Sequence, residues 1–274
     1  MVQEKKLGWS LDYRNPDVIR SMMPLWDFLY KYYFRVETDG WENIPDQQVL
    51  FVGSHNGGLT APDMVMMMYD WFRRFGVEKP VYGLMHPSAW TLYHGVTDLA
   101  AKTGAVIAHP KMAIEAIESG ANVLVYPGGA QDVFRLYTEQ DKIKFVGRKA
   151  FLKLAIRYSL PIVPLVSKGA HESLIVLADI YEYIKQIPDF GLFNNLSILD
   201  PEVFPIYLGL PWGIAFGPIP NIPFPTKIYT RVCPPIYFER YGFSASKDKD
   251  YIDECYHQVV NAMQYQLDDL FANH

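Results

Sequence analysis

Residues 48–63 read QVLFVGSHNGGLTAPD, and this stretch decides the class of fold. Residues 48–54 form a short apolar run that ends in glycine and serine, which is the pattern of a buried strand. A glycine-rich turn follows, and Thr60 with Asp63 then has the spacing that begins a helix, which we expect to end at Gly76. A buried strand that leads through a turn into a helix is a building unit of α/β proteins.

The same alternation of strands and helices continues along the chain. Short apolar strands are predicted at residues 81–85, 105–108, 122–126 and 161–166. Helices are predicted at residues 15–33 (kinked at Pro24), 60–76, 86–102, from 110 onward, at 149–158, at 172–186, and over 252–270. We therefore predict a single-domain α/β fold with a largely parallel central sheet flanked by helices. In such sheets the functional side chains lie at the carboxyl ends of the strands.

The composition is that of a globular protein and excludes several classes of function. The chain has 274 residues and a formal net charge of −5, so it lacks the basic character expected of a nucleic-acid-binding protein. Cys233 and Cys255 form no CxxC pair, which excludes a disulfide scaffold and a cysteine zinc cluster. The first residues lack the apolar region of a secretory signal. These features favour a cytoplasmic location.

Two segments bear on contact with a membrane. Residues 203–220 are apolar, but four prolines interrupt them, so a spanning helix is not expected. Residues 21–34, SMMPLWDFLYKYYF, mix aromatic side chains with lysine as interfacial segments do. A core helix with an ordinary apolar face is the other interpretation. We expect residues 1–36 to form an amphipathic, aromatic helical segment and residues 37–274 to form the α/β domain with its C-terminal helix.

The turn after the strand at residues 48–54 carries a candidate catalytic pair, His55 and Asp63. A histidine accepts a proton near neutral pH, and it does so better when a carboxylate fixes its tautomer. Eight residues of helix would separate the two side chains by about 12 Å, so they meet only if Gly57 and Gly58 fold the chain back. The alternatives are a histidine that serves only the turn and an aspartate that only completes a capping box with Thr60.

A second turn follows the strand at residues 122–126 and reads YPGGAQDVFR, residues 126–135. Gly128 and Gly129 are expected to expose backbone N–H groups that bind an oxyanion or a phosphate oxygen, and Arg135 supplies a fixed cation. The alternative is a tight turn with a surface arginine. The sequence has no GxSxG, Walker or HExxH motif. Its histidines lack the spacing of zinc ligands, so no metal site is predicted.

These turns, in this order, resemble the lysophospholipid acyltransferase superfamily, the glycerolipid O-acyltransferases. The branch with mono- and diacylglycerol acyltransferases is the most similar. His55 and Asp63 are similar to the first block of the superfamily, YPGGA at residues 126–130 to the third, and PIVPLV at residues 161–166 to the fourth. GWENIP at residues 40–45 is similar to the lead-in just upstream. The resemblance covers residues 37–235 and implies the α/β fold of the superfamily.

The resemblance implies that His55 and Asp63 are catalytic and together activate an acceptor hydroxyl. It implies substrate contacts from both turns, by Asn56, Gly57, Gly58, Pro127, Gly128, Gly129, Ala130, Gln131 and Arg135. The implied activity is an O-acyltransferase that moves a fatty acyl group from acyl-coenzyme A or acyl carrier protein to a lipid hydroxyl. That thioester is a co-substrate, and no other cofactor is implied. Lipid substrates further imply peripheral attachment to a membrane surface.

Departures from the family pattern bear on the substrate. Seven residues separate His55 from Asp63 where four are usual, and Gln131 stands where an arginine often lies. The third block also lacks the glutamate and arginine of enzymes with phosphate-bearing acceptors. We therefore expect a neutral acceptor, such as a glyceride or a long-chain alcohol, ahead of lysophosphatidate.

Other functions and roles stay open on the sequence. Residues around Trp212 and the methionines at 64–68 are candidates for an acyl channel, and core packing is the alternative for the methionines. A non-catalytic module that binds acyl lipids is the second candidate function. A thioester or lipid hydrolase, in which water replaces the lipid hydroxyl, is the third.

Overall fold

The computed structural model of the chain describes residues 6–92, 94–186 and 202–274. Its strands are β1 Glu37–Asp39, β2 Leu50–Gly53, β3 Val81–Met85, β4 Ala105–Ile107, β5 Asn122–Val125, β6 Ile162–Lys168, β7 Ile175–Asp179, β8 Pro205–Gly209, β9 Gly213–Phe216 and β10 Tyr229–Val232. A seven-stranded sheet has the order β1-β10-β6-β2-β5-β3-β4, and a three-stranded sheet has the order β7-β8-β9. Strands β6, β2, β5, β3 and β4 run parallel, and β10 is antiparallel to β6. The predicted α/β fold with a largely parallel sheet is confirmed.

Helices flank the large sheet. They are α1 Pro16–Phe28, α2 Pro62–Phe75, α3 Ala89–Leu92, α4 His94–Thr103, α5 Pro110–Glu118, α6 Gly129–Val133, α7 Ala150–Arg157, α8 Tyr181–Ile184, α9 Phe243–Lys247 and α10 Lys249–Asn273. Residues of α5, α7 and α10 belong to one apolar cluster, and residues of α1 and α2 belong to another. The sheet therefore has a core on each face.

Strand β2 shows how the two cores fix the sheet. All four of its residues are buried, and successive side chains point to opposite faces. Leu50 and Val52 pack in the cluster with α10, and Phe51 packs in the cluster with α2. Each such side chain contributes roughly 1.5–3 kcal/mol by its burial. The turns that follow β2 and its neighbour β5 therefore start from fixed positions.

The C-terminal helix lies along this sheet as its apolar periodicity predicts. The buried side chains of α10 include Ile252, Cys255, Val259, Met263, Leu267 and Leu270. The helix is capped by Asp248, whose side chain accepts a hydrogen bond from the Tyr251 N–H at 3.2 Å. It makes its main strand contact with β6. The apolar side of α10 therefore covers one face of the sheet.

The N-terminal helix has both a core side and an exposed apolar side. Asn15 caps α1 by accepting from the Asp17 N–H at 2.9 Å, and the helix passes through Pro24 into a π-helical turn at Leu29–Tyr33. Its core side, with the residue that follows, carries Ile19, Trp26, Tyr30 and Phe34. Its exposed side chains include Leu25, Phe28 and Tyr32. The interpretation of residues 21–34 as a core helix therefore applies to one side of the helix.

The helix predicted at residues 172–186 is wrong. A 3₁₀ turn at His171–Ser173 leads into strand β7, and helical structure returns only in α8. In β7 the buried Val176 is followed by the exposed Leu177, which is the alternation of a strand. Antiparallel pairing with β8 supplies the hydrogen bonds. A partner strand from residues 205–209 therefore outweighs the local helical preference.

The apolar stretch at residues 203–220 forms a hairpin instead of a helix. Strands β8 and β9 pair antiparallel through a short turn that contains Pro211. Among the described residues, no helix combines the length and the apolar content that crossing a bilayer requires. The prolines thus lie at a strand start and in turns, where a missing N–H is tolerated.

Candidate functional site

The site lies where β2 and β5 end, because these two strands are parallel neighbours in the sheet. His55 follows β2 after one residue, and Tyr126 follows β5 directly. Their rings stack with centroids 4.4 Å apart. A side chain at Gly53 would collide with the Tyr126 ring at 2.2 Å, so glycine at the end of β2 is what lets the tyrosine reach the histidine.

The glycine pair after His55 reverses the chain and brings Asp63 back to it. Gly57 and Gly58 have φ values of 80° and 67°, in the left-handed region that glycine adopts without strain. The Oδ2 atom of Asp63, on the first turn of α2, then lies 3.5 Å from the Nδ1 atom of His55. The structure thus joins the two candidate residues by the route that the glycine spacing predicts.

Asp63 is held by the turn and belongs to the site. Its side chain is 3% exposed, and Oδ2 accepts a hydrogen bond from the Asn56 N–H at 2.9 Å. Its other oxygen, Oδ1, is buried without a hydrogen-bond partner among the described residues. The capping-box interpretation is wrong, because α2 begins after Ala61 and the Thr60 hydroxyl donates to the Gly57 carbonyl.

A buried aspartate that the motif analysis did not single out fixes the backbone of His55. Asp132, in α6 after the second turn, accepts a hydrogen bond from the His55 N–H at 2.5 Å. It also accepts from Arg135 at 3.1 Å. Burial raises the pKa of Asp132, and the Arg135 charge partly opposes that rise. The only sequence signal was an acid three residues before an arginine, which is common on helices.

Arg135 ties the two turns together from inside the protein. The alternative of a surface arginine is wrong, because Arg135 is 2% exposed. Its guanidinium donates to the His55 carbonyl at 2.8 Å and to the Asn56 side-chain oxygen. It also reaches the carbonyls of Glu139 and Gln140. The guanidinium predicted to contact substrate thus donates its hydrogen bonds to protein groups, two of which belong to the His55 turn.

Asn56 and His171 complete this buried network. Asn56 donates to the Ser54 carbonyl and to the Ser167 hydroxyl on β6, both at 3.0 Å. The Nε2 atom of His171 lies 3.0 Å from the Arg135 carbonyl. Burial lowers the pKa of His171 to about 3, so this ring is neutral at pH 7 and donates to the carbonyl. The ring thus helps to hold the backbone at Arg135.

The second turn is held by Arg148, a residue that the motif analysis missed. Its Nη1 atom donates to the carbonyls of Pro127 at 3.0 Å and Gly128 at 2.7 Å, and its other end pairs with Glu202. The N–H of Gly129, a predicted oxyanion donor, is used within the turn on the Tyr126 carbonyl at 3.2 Å. The sequence alone does not indicate that the side chain of Arg148 contacts a turn about 20 residues earlier in the chain.

Two small clefts adjoin the site. One is lined by Gln131, Arg135, Lys144, Asp179 and the apolar residues Phe134, Leu136 and Val203. The other is lined by Ser54, Asp63, Met67, Tyr126, Leu165, Val166, Ser167 and Thr230. Burial and the nearby carboxylates raise the pKa of Tyr126 well above 10, so its phenol stays neutral.

The other predicted substrate and channel residues occupy several environments. Ala130 packs against the apolar cluster beneath the small sheet. Met66 and Met67 are buried in the core, as the core alternative held, whereas Trp212 is 57% exposed on the small sheet. Within the described ranges, no three His, Cys, Asp or Glu side chains gather as metal ligands do.

Comparisons with known proteins relate the part of the chain that carries the site to a family. Residues 35–168 match the family described as Acyltransferase, and this range contains both turns. Uncharacterized proteins of Mycobacterium tuberculosis and Mycobacterium bovis are 26% identical over 249 residues. The alignment covers 91% of this chain and 65% of theirs, so the chain spans about two-thirds of the length of these relatives. A Mycobacterium leprae protein is 24% identical, with 91% and 64% covered.

A solved structure shares the fold. The 1-acyl-sn-glycerophosphate acyltransferase PlsC of Thermotoga maritima superposes with a TM-score of 0.53 at 15% identity, over 93% of this chain and 80% of that one. This likeness supports the architecture, and the family match over residues 35–168 supports the lineage. The resemblance predicted from the two turns is confirmed over residues 35–168, about half of the chain, which match the Acyltransferase family.

Proposed function

We propose that the protein transfers a fatty acyl group from an acyl thioester to a lipid hydroxyl, with His55 as the general base. The observation that carries the proposal is the partly exposed His55 ring, whose Nδ1 atom faces the Asp63 carboxylate at 3.5 Å. This arrangement leaves the Nε2 atom to meet a hydroxyl. Stacking on Tyr126 sets the plane of the ring. A positioned base of this kind contributes about 10²–10⁴ in rate.

The proposed reaction needs only the two substrates and the imidazole of His55, which takes up one proton and later returns it. Nε2 takes the hydroxyl proton while the oxygen forms a bond to the thioester carbonyl carbon, and Asp63 stabilises the imidazolium that results. The carbonyl oxygen becomes an oxyanion, for which the backbone N–H groups of Gly57 and Gly58, or that of Gly128, are the donors. The Gly129 N–H is already bonded to the Tyr126 carbonyl. Collapse breaks the carbon–sulfur bond, and the imidazolium returns its proton to the thiolate sulfur.

The charges around the site support a neutral acceptor. Three cations lie close to the second turn, and each pairs with an acid of the protein: Arg135 with Asp132, Arg148 with Glu202, and Lys144 with Glu139. Gln131, which lines the cleft with Lys144 and Asp179, is uncharged. We therefore propose a glyceride or a long-chain alcohol as acceptor ahead of lysophosphatidate. Because such acceptors reside in bilayers, we propose peripheral association with a membrane surface.

The test is an acyl-coenzyme A assay in detergent micelles that follows free thiol and lipid product. We expect thiol release to require a glyceride or alcohol acceptor and to be lost in His55→Ala. His257→Ala is the matched control, because His257 is exposed on α10 and lies outside the site. Thiol release without acceptor would instead identify a hydrolase. Binding of acyl chains without turnover would identify a lipid-binding module.

A further inference from the structure

The outer side of the small sheet is apolar and exposed. Residues 203–226, which form β8, β9 and the following loop, contain no charged residue and no histidine. Seven of their large apolar residues, Ile219 among them, are at least 38% exposed. We call the other six the apolar face: Leu208, Leu210, Trp212, Ile214, Phe216 and Ile222. Contiguous exposed apolar surface of this kind marks a contact surface.

The strand pairing makes the apolar face continuous. Leu208 on β8 lies directly opposite Ile214 on β9, and an isolated bridge joins Leu210 to Ile222. The other side of the same strands, with Tyr207 and Ala215, is buried against Val133. The small sheet is therefore apolar on both sides, and the described residues cover only its inner side.

Several polar groups behind the apolar face are paired within the segment, whereas the Asn221 amide and the Thr226 hydroxyl are buried without a partner among the described residues. The Trp212 indole donates to the Pro220 carbonyl at 2.6 Å, and the Tyr207 hydroxyl donates to the Ile219 carbonyl at 3.0 Å. The Ile222 N–H donates to the Leu210 carbonyl at 2.7 Å. Prolines at 211, 218, 220, 223 and 225 carry no N–H. Hydrocarbon requires such internal pairing, whereas a protein interface uses about one hydrogen bond per 100–200 Å².

The apolar face adjoins the candidate site and a cation. A side chain at Gly58 would lie 2.6 Å from Leu174, which directly precedes β7, and 3.4 Å from Asn221. Arg35 donates to the Pro225 carbonyl at 3.0 Å and is exposed. Arg35 has no acidic partner among the described residues. A positive charge at the rim of an uncharged face complements the phosphates above a hydrocarbon layer.

We propose that the apolar face inserts into a lipid bilayer and so holds the His55 turn against the membrane that contains the acceptor. This inference rests on the proposed function, because a lipid acceptor gives the contact its purpose. A protein partner is disfavoured, since residues 203–226 carry no charged side chain, whereas a protein interface surrounds its apolar core with a polar rim. A second copy of this chain is the competing occupant, and the experiments below distinguish it.

The first experiment measures co-sedimentation with vesicles of phosphatidylcholine and phosphatidylglycerol in equal parts. We expect the unaltered protein to bind and the double variant Ile214→Ser/Phe216→Ser to bind at least about ten-fold more weakly, because each side chain contributes roughly 1.5–3 kcal/mol by burial. Val96→Ser/Tyr265→Ser is the matched control. It removes one aliphatic and one aromatic side chain that are 64% and 70% exposed outside the small sheet, and it should bind as the unaltered protein does.

The second experiment does not depend on weakened binding. Cys233 and Cys255 are buried, so a cysteine introduced by Ile214→Cys can be labelled selectively with an environment-sensitive dye. We expect vesicles to shift its emission to the blue, and we expect no shift when the dye is on Tyr265→Cys. Equal responses at both positions, or none at either, would overturn the proposal.

Other outcomes separate this proposal from the proposed function. Retained transfer in detergent micelles by Ile214→Ser/Phe216→Ser, with lost vesicle binding, supports both. Unchanged vesicle binding by that variant overturns the membrane surface and leaves the transfer reaction standing. A dimer in sedimentation equilibrium that the same variant dissolves would identify a second copy as the occupant and overturn the bilayer proposal. Absent transfer in micelles would overturn the proposed function alone.

Discussion

The carboxylate of Asp63 is the residue on which the proposed chemistry of His55 depends most directly. Its Oδ2 atom faces the ring and also accepts from the Asn56 N–H. We expect Asp63→Asn to lower the rate of thiol release by about 10²–10⁴, because an amide does not stabilise an imidazolium. Among the described residues, Asp63 has an ion-pair contact with His55 and with no lysine or arginine. The melting temperature of the variant should therefore change little.

The control for that substitution is Asp98→Asn. Asp98 pairs with Lys102 on the exposed side of α4, so its amide variant should keep both rate and melting temperature. An Asp63→Asn protein with full activity would remove Asp63 from the mechanism. An Asp63→Asn protein that has lost activity because it is unfolded would show instead that the carboxylate is structural.

Arg135 and Asp132 form a buried pair that the fold uses to hold the His55 turn. We expect Arg135→Met to lower the free energy of unfolding by about 3–5 kcal/mol, because it leaves a buried carboxylate without its cation. Asp132→Asn/Arg135→Met should recover part of that loss. Because burial raises the pKa of Asp132 above 3.8, the deficit of the single variant should be smallest near pH 4 and grow toward neutral pH.

Urea unfolding of the two variants across this pH range is the measurement. If the double variant is no more stable than Arg135→Met, the loss comes from the hydrogen bonds of Arg135 to the carbonyls of His55, Glu139 and Gln140. In that case the deficit should also be independent of pH.

His171 also makes the free energy of unfolding depend on pH. Its effect increases stability as the pH rises, whereas the unpaired Asp132 of Arg135→Met decreases stability as the pH rises. Its pKa falls from 6.5 to about 3 on folding, because the ring is buried. The stability it contributes is therefore complete above pH 6.5 and is lost as the pH falls toward 3, by up to about 1.4 kcal/mol per pH unit. We expect His171→Gln to flatten this part of the stability profile. Exposed His257→Gln is the control, and an equal change in both variants would contradict the prediction.

At the scale of elements, the turn between β2 and α2 decides whether the candidate pair meets. Gly57 has a φ of 80°, and a side chain there would lie 2.6 Å from Pro62 and 2.8 Å from the Ala170 carbonyl. Gly147 has a similar φ of 73°, with nothing within 4 Å. The two positions therefore share the cost of a left-handed backbone and differ in the space around it.

We expect Gly57→Ala to lower transfer activity by about 10², because the turn has to move and a shift near 1 Å misplaces the base. Gly147→Ala should keep its activity and lose only about 1–2 kcal/mol of stability, the cost of left-handed backbone for alanine. Thiol release and urea unfolding of both variants test this comparison. Equal activity in the two proteins would mean that the turn tolerates the movement.

The elements that the sequence predicts best are those whose signal is local. The strand at 122–126, the stripe of α10 and the cap at Asn15 each follow from neighbouring residues. Strand β7 was missed because its partner β8 lies about 30 residues away. Arg148 and Asp132 were missed for the same reason, since their roles depend on carbonyl and amide groups of other turns. Buried polar networks are long-range properties.

At the scale of the whole molecule, two layers meet at the candidate site. The large sheet fixes the ends of β2 and β5, and the small sheet packs on α6 through Val133 and Phe134. The apolar face thus lies on a layer that also supports the second turn. The proposed membrane contact and the proposed chemistry at His55 thus involve parts of the molecule that pack on the same residues, Val133 and Phe134.

The predicted boundary at residue 36 raises the question of whether residues 1–36 unfold together with the rest of the chain. A substitution in α1 tests this. Ile19 is fully buried in the same cluster as Phe51 of β2 and Trp71 of α2. We expect Ile19→Ala to destabilise the whole chain by about 2–5 kcal/mol, with one unfolding transition seen alike by near- and far-ultraviolet circular dichroism. Leu25→Ala is the control on the same helix, because Leu25 is 52% exposed. Two separate transitions, with only the first shifted by Ile19→Ala, would show that residues 1–36 unfold as an independent segment.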